Sequence, residues 1–132
     1  MHVIIGGAYN GKRDYVRMMV KGQEVQWNCM GTQYTCVSEI PRVMVFTEIE
    51  KWLGETDLSE AEAIDYVIET VEGQDTIVIV TDIGRGIVPI DAQQRKLRDT
   101  CGRLYQRLIA EADEVTRIWY GLAQTLKKRG EV

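Results

Sequence analysis

The run Thr76-Ile77-Val78-Ile79-Val80-Thr81 has no polar face. Side chains alternate sides along a strand, so a strand that is apolar at successive positions must be covered on both faces. That is the situation of an inner strand in a parallel sheet packed between helices. Val43-Met44-Val45-Phe46 reads the same way, and Val3-Ile4-Ile5 is a shorter run of the same kind. Helical periodicity fills the intervals. Val16, Met19 and Val20 give an apolar stripe over 12–21, with Tyr15 beside it. Ser59-Glu60-Ala61-Glu62 has the form of a capping box, and Ile64, Val67, Ile68 and Val71 follow at helical spacing over 60–72. Leu97, Cys101, Leu104, Leu108 and Ala112 line one side of a long helix over 92–112. Residues 25–27 and 34–37 are further strand candidates, and 115–120 and 122–126 are two more, bent apart at Gly121. Strands that alternate with helices predict an α/β fold, a mostly parallel sheet flanked by helices, in a single domain covering 1–132.

The first apolar run leads into Gly6-Gly7-Ala8-Tyr9-Asn10-Gly11-Lys12-Arg13, which meets the spacing G-x-x-x-x-G-K. A strand that turns through glycines into a helix presents free backbone N–H groups and the positive end of that helix to one small volume, and a lysine there reaches outer phosphates. Gly6, Gly7, Ala8, Tyr9, Asn10, Gly11, Lys12 and Arg13 are therefore candidate nucleotide-binding residues. Arg13 stands where a hydroxyl usually holds Mg²⁺. The competing reading is a glycine turn with a solvated lysine. A second glycine loop, beginning Asp82-Ile83-Gly84-Arg85-Gly86, leaves the 76–81 strand at its carboxyl end, where ligands bind in open α/β sheets.

Residues 1–91 carry 7 Lys/Arg and 15 Asp/Glu, whereas residues 92–132 carry 9 and 5. An acidic chain of net charge −4 lacks the broad basic surface that non-specific nucleic-acid binding needs. No run of eighteen apolar residues is present and the N-terminus passes straight into a strand, so we expect no membrane span, no signal peptide and a cytoplasmic location. Cys29, Cys36 and Cys101 lack C-x-x-C spacing, and His2 is the one histidine, so no zinc ligand set is evident. The cysteines are expected to be reduced core or near-core residues. Lys127-Lys128-Arg129-Gly130 reads as a solvated tail.

Gly84-Arg85-Gly86-Ile87-Val88-Pro89, then Arg98-Asp99-Thr100-Cys101-Gly102-Arg103-Leu104-Tyr105-Gln106-Arg107-Leu108, then Ala112-Asp113-Glu114-Val115, resemble the bifunctional adenosylcobinamide kinase/adenosylcobinamide-phosphate guanylyltransferase family of cobalamin biosynthesis. Its members carry a G-x-G-I-V-P loop, an R-D-x-x-G-R-x-N-Q-R-L helix and an A-D-E-V segment, preceded by a G-G-A-R-S-G-K-S loop that Gly6 to Arg13 would match. The resemblance covers 3–20 and 76–127.

The resemblance implies a P-loop NTPase core of RecA-like type, often a homotrimer, that phosphorylates adenosylcobinamide with ATP or GTP and Mg²⁺ and transfers GMP through a guanylylated histidine. Lys12 would clamp phosphates. Glu48 and Asp82 are the candidate catalytic and metal-binding carboxylates, since Thr47 stands where the family often has an acid. Arg85, Arg98, Arg103 and Arg107 would meet substrate or a neighbouring subunit, with a solvated arginine face as the competing reading. Tyr9 and Tyr105 replace a family Arg and Asn. No histidine lies between Val25 and Pro41, so the guanylyl-transfer nucleophile is missing. A shortened kinase is the leading expectation, and a degenerate nucleotide- or corrinoid-binding partner without turnover is the alternative.

Overall fold

The computed structural model describes residues 1–7, 11–31, 43–73, 75–82 and 91–128. The apolar runs become three of the four inner strands, β1 (His2–Gly6), β3 (Val43–Thr47) and β4 (Thr76–Thr81), joined by β2 (Val25–Cys29), β5 (Glu114–Trp119) and β6 (Leu122–Lys128). They form one sheet in the order β2-β3-β4-β1-β5-β6, parallel except where β6 returns antiparallel to β5. The expected α/β class is thus the observed one.

The reason for the uniformly apolar strands is visible in how their two faces are used. Val78 and Val80 of β4 point into a core shared with Val3, Phe46, Leu104 and Leu108, while Ile77 and Ile79 point the other way, into one shared with Ile4, Val16, Val45 and Ile118. The helix α1 (Lys12–Met19) covers the second face; α2 (Ile49–Glu55), α3 (Glu60–Val71) and α4 (Ala92–Glu111) cover the first. Each fully buried Leu, Ile or Val contributes about 1.5–3 kcal/mol to folding.

Local signals act as the sequence suggests at two helix starts. Ser59 Oγ accepts the Glu62 N–H at 3.3 Å, the N-cap bond of the expected capping box, and donates to the Glu62 carboxylate at 2.9 Å. Asp91 does the same service for α4, accepting the Gln93 N–H at 2.8 Å. Periodicity did not indicate α2, because seven residues are too few to establish a repeat. The expected strand at 34–37 and Cys36 lie outside the described residues. Cys29 is exposed on β2 rather than near the core, since that strand is at the edge of the sheet. Lys127 is not solvated tail: β6 carries it to the end of α4, where its ammonium donates to the Ile109 and Ala110 carbonyls at 2.8 and 2.9 Å. Trp119 pairs with Leu122, so β5 and β6 are joined by the two-residue turn Tyr120-Gly121, with φ of 50° and 76°. Among the described residues no helix is long and apolar enough to cross a membrane.

Candidate nucleotide-phosphate site

β1 delivers the chain to Gly6 at the carboxyl edge of the sheet, and α1 leaves from Gly11, whose φ of 84° suits glycine. Lys12 opens α1, buried, with its ammonium donating to the Gly7 carbonyl at 2.6 Å. Burial holds its pKa below the usual lysine value; the Glu50 charge opposes that shift and Arg13 adds to it. Ala8, Tyr9 and Asn10 lie outside the described residues, as does Arg85.

Lys12 opens onto a cavity of about 510 Å³ lined also by Gly11, Arg13, Arg17, Thr47, Glu48 and Glu50. Three adjacent segments meet there. The end of β3 supplies Thr47, whose buried hydroxyl lies 3.4 Å from the Asn28 carbonyl. Glu48 follows in the left-handed region at φ 62°, an unfavourable conformation for a non-glycine residue, and its carboxylate meets the Arg13 guanidinium at 2.6 Å. The two residues that the sequence singled out separately, Arg13 in place of the hydroxyl and Glu48 as a carboxylate, are thus joined as an ion pair at the cavity rim.

Glu50, in the first turn of α2, is the residue that sequence reasoning missed. Its Oε1 accepts the Thr81 N–H at 3.2 Å, and its Oε2 is buried without a hydrogen-bond partner. A buried carboxylate oxygen with no donor costs stability unless something supplies one. A bound water is such a donor, a hard cation would instead take the oxygen's lone pair, and the oxygens of Thr47 and Glu50 are the ligand type that Mg²⁺ takes. The signal was present in outline: a hydroxyl at the end of a buried strand and an acid three residues on. Only the α2 turn brings them to one cavity.

Asp82 follows the last residue of β4, and its N–H donates to the Gly6 carbonyl at 2.9 Å. Its side chain lines two other cavities, one with Arg98, Arg103 and Tyr105 and one with Gly6, Gly7 and Trp119, rather than the Lys12 cavity. Arg103 and Arg107 reach across to α3, meeting Glu60 at 2.6 Å and Asp65 at 2.8 Å, while Arg98 lies 3.4 Å from Asp99. The Tyr105 hydroxyl donates to the Thr81 carbonyl at 2.7 Å, and burial first, then the Glu50 charge, push its pKa well up. Burial also pushes the Cys101 thiol up to about 11, which makes it a poor nucleophile at neutral pH. His2 occupies the first position of β1, about 13 Å along the strand from Gly6 at about 3.3 Å per residue, with Nε2 2.8 Å from the Thr116 hydroxyl.

Residues 35–126 match the protein family described as cobinamide kinase / cobinamide phosphate guanyltransferase, which is more than half of the chain. A curated relative, the bifunctional adenosylcobalamin biosynthesis protein CobU of Salmonella typhimurium (strain LT2), is 39% identical over 51 residues, which make up 39% of this chain and 28% of the relative. The matched stretch therefore spans less than a third of the relative's length. The family is one of P-loop NTPases, and the parallel sheet with a glycine loop after β1 is that architecture. The chain belongs to the cobinamide kinase / cobinamide phosphate guanyltransferase family.

Proposed function

We propose that this protein binds ATP or GTP with Mg²⁺ at the Gly6–Lys12 loop and acts as a cobinamide kinase-like phosphotransferase of cobalamin biosynthesis, with adenosylcobinamide as the acceptor. The observation that carries the reading is the meeting of Lys12, Thr47 and Glu50 at one cavity beside the start of α1. Phosphoryl transfer is chiefly positioning and charge neutralisation. The N–H groups of the loop and the α1 terminus bind the phosphate chain, and Lys12 leaves the Gly7 carbonyl for the outer phosphates. Thr47 and Glu50 hold the cation, directly or through its water. Mg²⁺ held there would supply positive charge to offset the negative charge that grows during transfer. The acceptor hydroxyl oxygen forms a bond to the γ-phosphorus as the bond to the leaving diphosphate oxygen breaks, and the hydroxyl proton passes to the Glu48 carboxylate, freed from Arg13.

Guanylyl transfer by a histidine is not part of this function. His2 is at the far end of β1, and incubation with labelled GTP should leave no acid-labile adduct on the protein.

Calorimetry with ATP and GTP, with and without Mg²⁺, tests the reading. Lys12→Ala should weaken binding by about 1.5–3 kcal/mol, the worth of hydrogen bonds to charged groups. Glu50→Gln should abolish the gain in affinity that Mg²⁺ confers while leaving metal-free binding intact. Unchanged affinity in both variants would remove this cavity from the site. The Arg13–Glu48 pair favours one second reading, a relative that holds nucleotide or corrinoid without turnover. Addition of adenosylcobinamide to the loaded protein separates the two, since only a kinase converts the bound ATP or GTP to ADP or GDP and phosphorylates the acceptor.

A further inference from the structure

The tip of the β5–β6 hairpin has no part in the phosphate chemistry above, yet it is built in an unusual way. Trp119 and Tyr120 are 54% and 79% exposed, their rings lying 5.6 Å apart, and the Arg117 guanidinium sits 5.5 Å from the centre of the Trp119 ring. Two-residue turns of this type favour Asn-Gly, because both positions need positive φ. Here a tyrosine occupies the first position at φ 50°. A bulky side chain in that region is an outlier, and such outliers gather at functional positions.

The tip is also beside the phosphate loop. A Cβ on Gly11 would stand 3.8 Å from Gly121 Cα. A cavity of about 380 Å³ opens between them, lined by Gly6, Gly7, Asp82, Arg117, Trp119 and Tyr120. Its volume is in the range of small-ligand sites. Gly6 and Gly7 line this cavity, and Gly11 and Lys12 line another. On the β3–β4 side lies the charged one that holds Lys12 and Glu50; on the β5 side lies this one, with exposed aromatic faces and a guanidinium.

We propose that Trp119 and Tyr120 form a stacking platform for the base of the nucleotide whose phosphates lie on the Gly6–Lys12 loop. The inference rests on the phosphate reading given above. Planar bases stack on aromatic side chains and on arginine planes, whichever base it is. A nucleotide is charged at one end and flat at the other, and it matches the sequence of surfaces from Lys12 to Trp119.

The test compares ATP and GTP with inorganic tripolyphosphate by calorimetry, in the unaltered protein and in Trp119→Ala and Tyr120→Asn. Asparagine suits the turn, so the second variant removes the ring without disturbing the hairpin. The unaltered protein should bind the nucleotides more tightly than tripolyphosphate, and each variant should lose about fivefold to a hundredfold of nucleotide affinity. Tripolyphosphate affinity should stay the same. If tripolyphosphate binds the unaltered protein as tightly as ATP and GTP do, the platform is wrong and the phosphate site survives. If neither kind of ligand binds, both fall. Equal losses for nucleotide and tripolyphosphate, or conversion of a larger species to a 15.1 kDa one in the variants, would assign the hairpin to loop support or to a subunit contact and overturn the proposal.

Discussion

Gly6 and Gly11 occupy equivalent-looking places in the G-x-x-x-x-G-K pattern, but the structure requires glycine at each for a different reason, and replacement separates the two. At Gly6 a Cβ would be driven against the main-chain carbonyl of Ile118, closer than real Cβ atoms come to an oxygen. Gly6 is paired with Ile118 in the parallel β1–β5 ladder, and Ile118 is fully buried, so neither side can turn aside. Gly6→Ala must spread two inner strands by several tenths of an ångström, and such overpacking costs about 2–3 kcal/mol. At Gly11 the space is open, with Gly121 Cα the nearest atom at 3.8 Å, but φ is 84°. Gly11→Ala should cost about 1–2 kcal/mol from the left-handed backbone alone, less what alanine removes from the entropy of the unfolded chain. Asparagine tolerates that backbone, so Gly11→Asn should recover much of the loss, and Gly6→Asn should recover none. Urea unfolding followed by circular dichroism reads the difference. With a slope of about 1–3 kcal/mol/M, Gly6→Ala should lower the midpoint by roughly 1–2 M and Gly11→Asn by a few tenths. A Gly6→Ala midpoint equal to that of the unaltered protein, or a Gly11→Asn variant no better than Gly11→Ala, would refute the assignment of steric contact to one glycine and dihedral angle to the other.

Arg13 has no acceptor atom and cannot ligate a cation, so Arg13→Ser should raise kcat in the presence of Mg²⁺ and leave nucleotide affinity similar or lower; loss of binding with no gain in turnover would place Arg13 in a phosphate site of another kind. His2 is held below its usual pKa of 6.5, by burial first, with Glu114 opposing and the chain terminus adding. The unfolded chain therefore binds the proton first, and stability present above pH 6.5 should be lost as pH falls from there through the folded-state pKa, a loss that urea midpoints should no longer show in His2→Gln. Exposed Leu122 and Leu126 on the edge strand β6 leave backbone and apolar surface to be covered, and light scattering at micromolar concentration should find an oligomer, the expected trimer, rather than a 15.1 kDa species.

The sheet and its helices were legible in the residues because burial leaves a periodic trace. An inner parallel strand has to be apolar on both faces, so Ile77 to Val80 could hardly be anything else, and Ser59 with Glu62 marks a helix start through contacts made within one turn. The G-x-x-x-x-G-K spacing was legible for a simpler reason: its glycines and lysine are neighbours in the chain. Glu50 was not, because its importance comes from the Thr81 amide 31 residues away and from a buried oxygen with no donor, and neither leaves any periodicity in α2. Arg13 and Glu48 were each singled out in the sequence, one in place of a hydroxyl and one as a candidate carboxylate, but their pairing depends on the end of β3 arriving beside the start of α1. Asp82 and the hairpin tip differ in the same way. Chain order puts Asp82 at the end of a strand and Tyr120 in a turn, whereas the strand order, with β1 between β4 and β5, sets both beside the loop. Local sequence thus determines which elements form and where the chain can bend. Which side chains share a cavity is decided by tertiary structure, because long-range packing brings together residues whose separation along the chain carries no signal.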